Sequence, residues 1–183
     1  MLKKYYKLLA ILLLVVLILS GCGTKKEENK IKDEVTIDVD YEVPLDNWIN
    51  GIKYGNLEQY KKAFPEFYLE EKDIDEKEME KMAEALEDTY GRNIKIKYEI
   101  IKEDNISKDD LEKVREYIQK VYDEKNIKIS EGKEIKLSIT IKGDEDTDVN
   151  TSEIFLYKIN GEWKMLNNVS PRNAKIYLNN NKK

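Results

Sequence analysis

The chain contains no histidine, and of its 183 residues only one is cysteine, three are proline and three are phenylalanine. Without imidazole there is no Ser-His-Asp or Cys-His nucleophile, no imidazole acid–base chemistry near neutral pH, and no histidine-ligated zinc or iron. A single cysteine excludes an internal disulfide, so the folded part must rely on its apolar core. Long apolar runs are also scarce. The longest, Leu8 to Leu19, falls short of the roughly 20 residues that a bilayer-spanning helix needs. Positive charge is not in excess either. Setting aside Lys3, Lys4 and Lys7, the 32 basic residues fall to 29 against 37 acidic, a balance of −8. That balance argues against nucleic acid as a partner, since phosphate neutralisation supplies much of such affinity. It argues equally against a broad electrostatic hold on anionic lipid. Most Lys and Glu are interspersed, the pattern of a solvated surface.

What is present begins at the N-terminus. Three lysines precede the apolar run, which ends in Leu19-Ser20-Gly21-Cys22. A cationic end, a short apolar stretch and small residues before a cleavage point form a secretory signal. Those last four residues resemble the lipobox of bacterial lipoproteins. The resemblance implies acylation of Cys22, cleavage just before it, and a lipid-anchored place on the extracytoplasmic face of the cell membrane. A plain signal peptide ending near a cysteine is the alternative. The expected division is residues 1–21 as signal peptide, 22–33 as a flexible tether, 34–169 as one α+β domain, and 170–183 as a polar C-terminal tail that frays. The tether is assigned on composition, because Gly, Thr, Lys, Glu and Asn cannot bury enough surface to order themselves.

Within the domain the hydrophobic period switches repeatedly. Val35, Ile37, Val39, Tyr41 and Val43 alternate with polar residues and predict a strand. After Pro44 the period becomes helical, with Leu45, Trp48, Ile49 and Ile52 on one stripe and Gly55 at a left-handed cap. Asn56 caps a second helix that Pro65 stops. Asp75 opens a third, carrying Met79, Met82, Ala83, Leu86 and Tyr90. Ile94 to Ile100 alternate as a strand, Ser107 caps a helix bearing Leu111, Val114, Ile118 and Val121, and Ile135 to Ile141 alternate again. Asp144 to Asn150 begins like a calcium loop, but Val149 stands where glycine is needed and Phe155 where the bidentate glutamate is needed. A solvated turn is the better reading, and no metal is expected.

Asn160-Gly161 between two apolar runs predicts a tight hairpin, because both turn positions require positive φ. The register then pairs Leu156 with Met165, Tyr157 with Lys164 and Lys158 with Trp163. Both faces of this hairpin carry apolar residues, so something must cover each: helices on one, and a cavity, a partner or the chain's own end on the other. The helical pair around Trp48, Gly55-Asn56 and Tyr60, the later helix, and the Tyr157-to-Met165 hairpin occur in the order found in NTF2-like (cystatin-like) domains, which the chain resembles over about residues 44–169. The resemblance implies a curved antiparallel sheet of about four to five strands packed against N-terminal and inserted helices. It also implies a concave face that serves some members as an active site and others as a ligand or partner surface.

No catalytic residue and no cofactor is expected. Leu156, Trp163 and Met165 are assigned to the helix-covered face. Phe155, Tyr157 and Ile159 then form the candidate binding surface, for an envelope protein or a small apolar ligand. Two alternatives stand beside this binding module: a cavity enzyme using Asp, Glu or Tyr, with Tyr98 and Tyr157 in range of a cavity, and an inhibitory or structural partner of another envelope protein.

Overall fold

Why each element starts and stops is visible in its caps. The computed structural model describes residues 40–72 and 74–181; residues 1–39, with the lipobox, Cys22 and the tether, lie outside them. A 3-10 turn, Asp40–Glu42, leads into α1, Val43–Tyr54, with Pro44 in its first turn and Gly55 closing it at φ 60°. Asn56 caps α2, Leu57–Lys62, accepting from the Gln59 amide at 2.9 Å. A short α3, Glu66–Glu70, follows Pro65. Asp75 caps α4, Glu76–Tyr90, through the Glu78 amide at 2.8 Å. The strand β1, Lys95–Asn105, then precedes α5, Lys108–Val121, which Ser107 caps. Three further strands, β2 (Ile129–Lys142), β3 (Thr147–Ile159) and β4 (Glu162–Met165), and the terminal α6 (Pro171–Asn180) complete the order. Among the described residues no helix is long and apolar enough to cross a membrane.

The four strands form one antiparallel sheet in the order β1-β2-β3-β4. The hairpin has the expected register, Leu156 against Met165 and Lys158 against Trp163, with φ of 51° at Asn160 and 95° at Gly161. Nothing lies within 4 Å of a Cβ built on Gly161, so a side chain there meets backbone strain and no clash. Gly161→Val is therefore expected to cost about 1–3 kcal/mol, read as a lower denaturation midpoint. An unchanged midpoint would mean that the turn tolerates a β-branched residue at positive φ.

Two sequence expectations are corrected. The strand reading from Val35 fails at its far end: Tyr41 is in the 3-10 turn and Val43 begins α1, while residues 35–39 lie outside the described part. Pro44 fixes φ near its helical value and so starts the helix at the point where alternation would continue. The C-terminal tail does not fray over residues 171–180. Ser170 caps α6 through the Asn173 amide at 3.1 Å, and Ala174 and Leu178, four apart, are buried.

Helices cover both faces of the sheet. On the first face Ile135, Leu137, Ile154, Leu156 and Met165 are buried in the core that Leu45 of α1 also enters, and α4 packs against α1. Tyr41 meets Trp163 edge-on at 5.9 Å, and the Tyr98 hydroxyl lies 3.1 Å from Asp46 Oδ1 on α1. Gly51 lets α1 and α2 cross closely, since a Cβ there would stand 2.7 Å from the Tyr60 backbone. On the second face α5 and α6 cover one half only. Leu111 of α5 sits over Gly132 beside the Tyr157 ring, and Tyr117 and Tyr177 join the two helices at 5.1 Å. The other half of that face is open, with Lys95, Lys97, Lys142 and Val149 exposed.

Candidate functional site

The half-covered second face forms the site. Where the first residues of α5 and α6 overhang β1, β2 and β3, they leave a groove of about 870 Å³. Strand pairing sets its floor. Asp104 on β1 lies opposite Glu134 on β2, and Lys136 lies opposite Glu153 on β3. Period-two alternation turns these four side chains to one face and the apolar Ile135 and Ile154 to the other. The walls are Asp110 of α5 and Arg172 of α6, with Ser107 and Ser170 at the helix starts. Asn167 contributes a buried Oδ1 that has no hydrogen-bond partner.

The electrostatics separate the carboxyls. Burial, then the charge and hydrogen bond of Glu153, push the Glu134 carboxyl above its usual range; Asp104 adds to this and Lys102 opposes it. Asp110 moves the other way, held down by hydrogen bonds from Lys113 and Ser107. Two carboxyls a short distance apart resist double ionisation, so Glu134 keeps its proton to higher pH than a free glutamate does. The folded chain then binds protons more tightly than the unfolded one. The associated stability is full below the unfolded pKa and is lost as pH rises through the folded one. Glu134→Gln is accordingly expected to raise the denaturation midpoint at about pH 7 and to leave it unchanged at about pH 3. A variant no more stable than the parent at neutral pH would contradict the upward shift of the Glu134 carboxyl.

The residues expected as the binding surface are placed differently. Tyr157 is 0% exposed, and Phe155 and Ile159 are 6% exposed each. They form the core between the sheet and α5 and α6, and only Phe155 reaches the groove. The Tyr157 hydroxyl donates to the Val169 carbonyl at 2.6 Å, and burial above all drives its pKa up. The chain's own end supplies one covering of this face and the inserted helix the other. Tyr98, the second tyrosine in range of acid–base work, lies on the first face against Glu42 and Asp46, where burial and Asp46 raise its pKa.

Sequence reasoning missed Glu134, Glu153, Asp110, Arg172 and Asn167. Glu134 and Glu153 were within reach, because both fall on the polar side of strands whose apolar rows were recognised. Arg172 was not, because it follows from α6. Among the described residues no group of three or more carboxylates is arranged to hold a metal ion. No family model matches the chain, and no curated protein sequence matches it.

Proposed function

We propose that this chain is an extracytoplasmic lipoprotein, held on the cell membrane by acyl chains on Cys22, whose NTF2-like (cystatin-like) domain is a non-catalytic binding module. The observation that carries the binding reading is the groove. It is open to solvent, three strands wide and edged by charges of both signs. The sheet interior, where an enzyme of that superfamily would keep an empty apolar cavity, is packed with Ile135, Leu137, Leu156 and Tyr157 at 0% exposure. The groove's polar lining suits a polar ligand or an envelope-protein segment better than a small apolar ligand. Lipid anchoring rests on the residues around Cys22, and stable retention needs more than one acyl chain because a single chain binds reversibly.

The anchor is tested by fractionation. The full chain is expected in the detergent phase and the membrane pellet, and Cys22→Ser should release an uncleaved or secreted form. Unchanged membrane partition of Cys22→Ser, with cleavage at another position, would exclude the lipobox. Groove binding is tested by amide chemical shifts against a panel of polar amines, sugars and dipeptides. Perturbations should gather on Asp110, Glu134, Glu153 and Arg172; a pattern confined to other surfaces removes the groove as the binding site. A second reading, a cavity enzyme, rests on the Glu134 carboxyl, whose pKa burial and Glu153 raise. Under it Glu134→Gln abolishes turnover, whereas under the binding reading no turnover exists to lose.

A further inference from the structure

The outer edge strand, β1, carries a row of exposed charges. Among the described residues β1 pairs only with β2, and no backbone group of its 11 residues bonds to any other element. On the half-open face β1 presents Lys95, Lys97 and Glu99, then, past an irregularity between Ile100 and Lys102, Lys102 and Asp104. Against β2 three of these meet their own sign, Lys95 opposite Lys142, Lys102 opposite Lys136 and Asp104 opposite Glu134, while Lys97 and Glu99 lie opposite the uncharged Thr140 and Ser138. Glu134 and Glu153 also draw on Lys102. Like charges directly opposite one another destabilise a strand pair. Lys102 also pairs with Asp104 along its own strand, but their side chains are 66% and 52% exposed, where an ion pair contributes little.

The row Lys97, Glu99, Lys102, Asp104 alternates in sign, and read backwards every sign is reversed. A second copy laid antiparallel along this edge therefore meets it with opposite charges throughout. With the two-fold axis at Ile100 and the extra residue Ile101 passed over, Lys97 faces the second copy's Asp104 and Glu99 faces its Lys102. Ile100 then faces Ile100. Edge lysines and bulges ordinarily deter such pairing, but here the acids of the same row supply the counter-charges. We propose that the chain forms a two-fold dimer through antiparallel pairing of β1 with β1 of a second copy, extending the four-stranded sheet to eight.

Cross-linking of the full chain in membranes tests the register. Two differently tagged chains, one carrying Lys97→Cys and one Asp104→Cys, should form a mixed disulfide, since directly opposed Cα atoms lie about 5 Å apart. Lys81→Cys, on an exposed face of α4, should not exceed the background of the parent chain. Sedimentation of the purified chain tests the charges. Glu99→Lys should weaken association about tenfold or more, and Glu99→Lys with Lys102→Glu should restore it. Both positions are exposed, and melting of each variant checks that it folds. A parent chain that stays monomeric overturns the proposal, including one whose β1 amides resist exchange because residues upstream of Asp40 occupy the edge. So does association that Glu99→Lys leaves unchanged, or cross-linking no higher than background.

Discussion

Tyr157→Ala is expected to cost about 3–5 kcal/mol, more than truncation of any other aromatic residue in the hairpin. Its ring is fully buried, lies against Gly132 beside Leu111, and cannot be replaced by collapse of a strand held on both sides. The hydroxyl adds a second component. Once it is gone, the Val169 carbonyl loses the bond that ties the end of β4 and the start of α6 to the sheet. Tyr157→Phe isolates that part and should cost about 1–3 kcal/mol. Denaturant midpoints with unchanged slopes would measure both. If Tyr157→Ala matched the parent, the second face could not be closed by α5 and α6 as described. Trp163, by contrast, is only half-buried at the edge of Tyr41, so its truncation should cost less than that of Tyr157.

The second large effect comes from a residue with no side chain. A Cβ on Gly143 would lie 1.9 Å from the Tyr90 carbonyl oxygen and 2.6 Å from its carbon. The obstacle is backbone, which cannot rotate away as a side chain would. Gly143 does not have positive φ, so the restriction is contact alone. Gly143→Ala must lift the β2–β3 turn off the end of α4 and break the bonds from Glu145 N to Tyr90 O at 3.0 Å and from Asp144 N to Arg92 O at 3.1 Å. A loss of about 3 kcal/mol or more is expected, with amide exchange rising first at residues 143–146. A variant with native stability and native exchange there would show that the turn does not dock on α4.

These two positions differ in how far the sequence reveals them. Tyr157 sits in Ile154-Phe155-Leu156-Tyr157-Lys158-Ile159, and such a nearly continuous apolar run means that both faces of β3 are covered. Which covering lies on which face is not local information, because α5 and α6 contribute it from 36 residues upstream, at Val121, and from 14 downstream, at Pro171. Gly143 looks like any turn glycine until Tyr90 is placed beneath it. Caps at Asn56, Asp75 and Ser107 and the Asn160-Gly161 register were legible, since each depends on residues within four positions of one another. The final helix was hidden because two buried residues, Ala174 and Leu178, are set among Asn, Lys and Arg. The groove was hidden for a related reason. Asp110, Glu134, Glu153 and Arg172 each read as ordinary surface charge, and only strand pairing together with the docking of α5 and α6 brings them to one place.

The two edges of the sheet are not equivalent. The amide of Met165 on β4 donates to the Ala63 carbonyl at 2.8 Å, and Lys164 Nζ donates to the Lys62 carbonyl at 3.2 Å. The end of α2 thus seals one border while, among the described residues, β1 leaves the other free. A sheet with two free borders can add copies without limit and grow into a ribbon. With one border sealed, growth by strand addition stops after a single step, so the product is a closed pair and never a polymer. The short contact between Ala63 and Met165 is thus a chain terminator, and a change that loosened it would remove the limit on assembly.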